Sequence, residues 1–166
     1  MYGFPIIPKK RNKCDACILG KHSKQPFQES KFKACRNLEL IHSNLCGPMP
    51  IPSTNGNKYL MTFVDDYSRM CWVYLLKTKS EAFQIFKNFH AWIENQAQTR
   101  IGTFRSDNGK EYTSNEFEDH LSKHGITHQT TVPYNPQQNG VGETMNRTLM
   151  NMARSMLFFK NVNSMF

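Results

Sequence analysis

The chain reads as an α/β domain built on a mixed five-stranded sheet flanked by helices, and three observations predict it. β-rich runs open the body, two of them close enough to form a hairpin. Two further β runs alternate with apolar patterns of helical spacing. The resulting order, three strands, helix, strand, helix, strand, helix, mixes hairpins with β-α-β crossovers. A length of 166 residues fits one domain. With 39% hydrophobic residues and 12 phenylalanines, a core can form, which excludes wholesale disorder. No apolar run approaches the roughly 18 residues of a membrane span, and the opening MYGFPIIPKKRNK lacks the apolar stretch of a secretory signal.

Each element has its own signal. Residues 39–46 (ELIHSNLC) alternate apolar and polar side chains as a strand does, and GPMPIP stops them. Residues 59–64 (YLMTFV) and 70–76 (MCWVYLL) are β-rich, with Asp65–Arg69 as the loop between them. Ser80 reads as an N-cap, after which Ala82, Phe83, Phe86, Phe89 and Ile93 recur at helical spacing to about Gln98. Residues 100–106 (RIGTFRS) form a fourth strand that ends at the turn Asp107-Asn108-Gly109. Thr113 or Ser114 starts a short helix through His124, with Gly125 as its stop. Residues 126–131 make a fifth strand, and 133–140 a polar loop. A last helix over 141–160 carries an apolar face of Val141, Met145, Leu149, Met152 and Met156.

Charge divides the chain in two. Residues 1–37 hold nine Lys and Arg, among them Lys9, Lys10, Arg11 and Lys13, against two acidic residues, a net +7. Residues 38–166 hold 12 basic and 11 acidic residues. A basic arm on a nearly neutral body predicts a polyanionic partner, DNA above all, over a merely solubilising tail.

Five cysteines without a secretory signal imply a reducing compartment, nucleus or cytoplasm, where a close pair means metal more often than disulfide. Cys46 and Cys71 lie in apolar stretches and read as small core residues. Cys14 and Cys17 form a CxxC in the lysine-rich arm, with His22 downstream; knuckle spacing would put the next ligand at Phe27, which cannot bind metal. The pair therefore supplies two of the four ligands that structural zinc requires.

Two carboxylates occupy places where α/β folds keep their sites. Asp107 follows the end of a strand, and Glu143 falls in the first turn of the last helix. Capping and helix-dipole compensation would account for either one alone.

Together these segments resemble the catalytic core of a copia-type LTR retrotransposon integrase, within the RNase H-like retroviral integrase group. CDACILGK (14–21) is similar to the end of the zinc-binding segment that precedes such cores. IHSNLCGP (41–48) resembles the first strand, FVDDYSR (63–69) the hairpin, FRSDNGKEY (104–112) the central acidic turn, and VPYNPQQNGVGE (132–143) the loop and helix with the last carboxylate. Asp107 and Glu143 are separated by 35 residues, the interval of this group. The resemblance implies a Pol polyprotein core that holds two Mg²⁺ (or Mn²⁺) on three carboxylates and joins DNA ends to target DNA by phosphodiester strand transfer. Asp107 would be the second acidic position and Glu143 the third. Gln138, Asn139, Lys110, Arg147 and Arg154 would contact DNA, and the protein would be a homo-oligomer.

The sequence departs from that family at informative places. The first acidic position is Asn44, with Asp65 or Asp66 as the nearest substitute carboxylate. Thr144 and Met145 stand where the family's last helix has Arg and Lys. The resemblance also implies a core cut short at its C-terminal end and a zinc segment without its upstream His pair. Three functions are therefore expected to compete: an integrase core inactive as written, a non-catalytic nucleic-acid-binding module, and an RNase H-type nuclease.

Overall fold

The computed structural model describes residues 33–131 and 140–159. Its strands are β1 (Leu40–Cys46), β2 (Tyr59–Asp65), β3 (Cys71–Leu76), β4 (Thr103–Ser106) and β5 (Thr127–Thr130); its helices are α1 (Ala82–Ala97), α2 (Asn115–Lys123) and α3 (Gly140–Phe159). The five strands form one sheet in the order β3-β2-β1-β4-β5. β1, β2 and β3 pair antiparallel, while β1–β4 and β4–β5 are parallel.

β1 lies at the centre of the sheet and is covered on both faces. Leu40, Ile41, His42 and Ser43 are all at most 1% exposed. On one face, Ile41, Leu45, Met61 and Phe63 join Phe86, Phe89 and Ile93 of α1 and Phe117 and Leu121 of α2 in the core. Phe63 stacks on Phe89 at 4.2 Å between centroids, and Phe86 lies 4.6 Å from Phe104 and 4.8 Å from Phe117. Burying each ring contributes roughly 1.5–3 kcal/mol. The opposite face of β1 and β2 is crossed by α3.

Local chemistry shifts several boundaries from their expected places. Thr78, not Ser80, caps the entry: its backbone N–H donates to Glu81 Oε1 at 2.8 Å, capping the 3₁₀ turn at Lys79–Glu81 that leads into α1, whose own N-cap position is Glu81. Gln98, at φ +49°, ends α1 in the left-handed region. β4 begins only at Thr103. β1 stops at Gly47 (φ +137°), where a Cβ would lie 2.7 Å from the Lys58 carbonyl, so only glycine fits. Gly125 (φ +69°) ends the α2 segment as expected.

The apolar face expected of α3 holds only over its first half. Val141, Met145 and Leu149 are half-buried, whereas Met152 and Met156 are 53% and 64% exposed. At 1.5 Å per residue, 20 residues extend about 30 Å, past the two strands that α3 crosses. Cys46 and Cys71 are half-buried rather than core residues, because each sits at a strand end. Among the described residues, no helix is long and apolar enough to cross a membrane.

Candidate catalytic site

Sheet register brings positions 44 and 107 to the same end of the parallel pair. Leu40, Ile41 and His42 of β1 stand opposite Thr103, Phe104 and Arg105 of β4. Continued by two residues, this register sets Asn44 level with Asp107. On its other side Asn44 pairs with Thr62 of β2. Thr62 Oγ1 donates to Asn146 Oδ1 of α3 at 2.7 Å, a buried bond that fixes the start of α3 over the sheet. Glu143 precedes Asn146 by three residues, nearly one helical turn, and is exposed. Sequence reading missed Asn146, although a polar side chain adjoining the packed seam of an amphipathic helix is a signal for such an anchor.

Asn146→Ala should cost about 1 kcal/mol, because it leaves the buried Thr62 hydroxyl only the long 3.5 Å contact to the Asn44 carbonyl. Removing both partners, Thr62→Val with Asn146→Leu, should restore most of that loss. Urea unfolding measures both; an unaffected Asn146→Ala protein would show that this bond does not hold α3.

The loop after β4 is built around Asp107. The Gly109 N–H donates to Asp107 Oδ1 at 3.0 Å. Asn108 Nδ2 donates to the Thr131 carbonyl at 2.9 Å. The loop is also tied to β1, where the buried Tyr112 hydroxyl meets Ser43 Oγ at 2.8 Å, next to Asn44. Burial pushes the Asp107 carboxyl above its ordinary value; the Gly109 N–H opposes this, the nearby Glu111 charge adds to it, and Lys79 opposes it. Lys79 Nζ also pairs with Glu111 Oε1 at 3.2 Å. Glu111, unremarked in the sequence, thus contributes a second negative charge to this end of the sheet.

Asp65 and Asp66 do not take the place of the missing carboxylate. Asp65 pairs with Ile41, so it lies three residues along β1 from Asn44, about 10 Å away. Its oxygens accept from the Leu38 N–H, the Ser68 N–H and the Ser68 hydroxyl. Asp66 accepts from the Ala34 N–H and His42 Nε2 and pairs with Arg69. Both residues hold the N-terminal entry and the hairpin in place.

Of the proposed DNA contacts, Lys110 is exposed in the Asp107 loop, and Arg147 and Arg154 are exposed on α3. Helical geometry puts Glu143, Arg147 and Arg154 within about 40° of one another, along one stripe. Gln138 and Asn139 lie outside the described residues, as do Lys9, Lys10, Arg11, Lys13, Cys14 and Cys17.

The strand order, the parallel β1–β4 pair and a helix laid over β1 and β2 define an RNase H-like core. Residues 34–136 match the integrase core domain, and the chain belongs to that family, among the integrases of LTR retrotransposons. It is 52% identical over 144 residues to the retrovirus-related Pol polyprotein from transposon TNT 1-94 of Nicotiana tabacum, covering 87% of this chain and 11% of that protein. It is 38% identical over 163 residues to the corresponding polyprotein from transposon RE2 of Arabidopsis thaliana, covering 97% of this chain and again 11% of the relative. The chain thus spans about a tenth of the length of these relatives. Among solved structures, it superposes on a chain of the simian T-cell lymphotropic virus intasome in complex with PP2A regulatory subunit B56 gamma, with TM-score 0.67 and 23% identity over 92% of this chain and 52% of that one. The HTLV-2 integrase catalytic core domain in complex with magnesium, in its trimeric form, gives TM-score 0.58 and 16% identity over 80% of both chains.

Proposed function

We propose that this chain is an integrase core that binds DNA but lacks the full carboxylate set for strand transfer. The observation that carries this reading is the register of Asn44 with Asp107: a neutral carboxamide stands where the family's first carboxylate is expected. Asn44, Asp107 and Glu143 offer only oxygen donors, which suit Mg²⁺. Asp107 is desolvated beside a second carboxylate, a negative environment that a cation relieves. That donor set fits one divalent ion and falls a charge short for two. When bound, such ions activate the attacking hydroxyl and stabilise the leaving oxygen of a phosphodiester. The HTLV-2 core, described in complex with magnesium, supports the choice of ion.

The chain's own residues then divide the remaining work. Asp107 and Glu143 would hold the cation, while the Gly109 N–H and the Ser43–Tyr112 pair orient the Asp107 loop. Arg147 and Arg154 continue the Glu143 stripe toward phosphates, with Lys110, Gln138 and Asn139 as further contacts. Residues 1–37 are a basic arm whose Cys14 and Cys17 supply half a zinc site, and 38–166 form the core. The trimeric form described for the HTLV-2 integrase core supports reading this chain as a homo-oligomer.

The arm should dominate non-specific affinity. Deleting residues 1–32 removes seven Lys and Arg. If four of them engage phosphates, the log–log salt dependence of duplex binding should flatten by about 3–4. Fluorescence anisotropy across a salt series measures it, and equal slopes with and without the arm would show that its charge only solubilises.

A further inference from the structure

We infer that His90, His120 and His124 form a site for a transition-metal cation of the Zn²⁺ class, clipping the middle of α1 to the C-terminal end of α2. Each imidazole offers one nitrogen, and these atoms all lie within 4.8 Å of one another. His120 and His124 are four residues apart, which presents both on one face at the end of α2. His90 comes from α1, which packs alongside. His90 Nδ1 lies 3.2 Å from His120 Nε2, close to the roughly 3.3 Å between two nitrogens on a tetrahedral ion bound at about 2.05 Å. The His124 ring closes the triangle, with centroids 4.7 Å from His90 and 4.5 Å from His120.

The surroundings prepare these rings as ligands. Phe86 stacks on His90 at 6° between planes, and Phe83 meets His120 edge-on. The second nitrogen of His90, Nε2, is buried and forms no hydrogen bond, yet lies 3.2 Å from Glu94 Oε1. Glu94 Oε1 is itself held by the Ile101 N–H at 2.8 Å. Metal-bound histidines commonly donate their second ring N–H to a carboxylate; Glu94 stands within that distance of Nε2, although the bond is not made in this structure. An all-imidazole set suits Zn²⁺, Cu²⁺ or Ni²⁺ and not Mg²⁺. His124 is exposed, which leaves an entry path and room for water as fourth ligand. The cluster is remote from Asp107: α2 ends where β5 begins, and Thr127 of β5 pairs with Thr103, at the opposite end of β4.

Zinc titration of the full chain, read by thermal unfolding, tests this site. At a hundredfold excess over Kd, Tm should rise by roughly 6–10 °C. The shift should vanish in His124→Ala, an exposed position whose own Tm without zinc should match the parent, and in His120→Phe. It should persist in Cys14→Ser/Cys17→Ser. Co²⁺ bound to the chain should show four-coordinate d–d absorption, and in that double variant no thiolate charge-transfer band. Absence of any zinc-dependent shift, its persistence in His124→Ala, or its loss in the cysteine variant would each overturn the assignment.

Discussion

Strand transfer by the chain as written should sit at background in Mg²⁺, and Asn44→Asp should raise it by about a thousandfold. Of the three positions expected to hold the two divalent ions, only Asp107 and Glu143 would bring negative charge, because Asn44 offers one neutral carbonyl oxygen. A metal supplies several kcal/mol of transition-state stabilisation; losing about 4 kcal/mol of it lowers the rate by about a thousandfold. Among the described residues, Glu111 beside Asp107 is paired with Lys79, and Asp65 and Asp66 are committed to backbone and His42 partners toward the other end of β1, so none of the three replaces a carboxylate at position 44. Asn44 is half-buried at a strand position paired with Thr62, so the substitution keeps size and shape, and the unfolding midpoint should change little. The assay joins a short duplex end to target DNA in Mg²⁺ and in Mn²⁺, comparing the chain with Asn44→Asp and with Asn44→Asp/Asp107→Ala. Joining by the unmodified chain that disappears in Asp107→Ala would refute the reading. Joining that appears only with Asp at 44, and is lost again with Ala at 107, would show that one substitution silenced the site.

Much of the fold was legible because short-range rules set it. The spacing of Phe86, Phe89 and Ile93 marks α1, and the Asp-Asn-Gly turn marks the end of β4. What the sequence concealed depends on contacts distant along the chain. Ser80 was a sound N-cap by residue type, but the Thr78–Glu81 pair reaches two residues earlier. Alternation in β1 suggested one polar face, yet His42 is as buried as Leu40 because its face is also covered, and Ser43 is buried on the core face with Ile41 and Leu45, against Tyr112. In the candidate site, spacing isolated Asp107 and Glu143, while the Ser43–Tyr112 and Thr62–Asn146 tethers join residues 69 and 84 positions apart. The imidazole cluster was hidden for the same reason: His90 and His120 meet only when α1 packs against α2.

Stability should fall by about 3 kcal/mol between pH 7.5 and pH 4, with His42 as a principal cause. His42 is 1% exposed, donates from Nε2 to Asp66 Oδ1 at 3.1 Å, and leaves Nδ1 without a partner. Burial lowers its pKa to about 4, outweighing the Asp66 hydrogen bond, and the Arg105 and Arg69 charges push the same way. In the unfolded chain the imidazole takes up its proton near pH 6.5. Between those values the unfolded state binds more protons, so folding stability is intact above about pH 6.5 and is lost as pH falls toward 4. The interval corresponds to about 3 kcal/mol. Asp66 responds lower: burial works against its ionisation, but the Ala34 N–H and His42 hold its carboxyl below the usual range, so its contribution is lost at more acid pH. His120, also brought to about 4, adds a loss of the same sign from a more exposed position. Urea unfolding at pH 7.5, 5.5 and 4.5 measures the slope. His42→Phe should lower stability at pH 7.5, because Asp66 loses a donor, and should flatten the fall between 7.5 and 4.5. An equal fall in parent and His42→Phe would assign the acid sensitivity to other groups and leave the buried imidazole a packing residue.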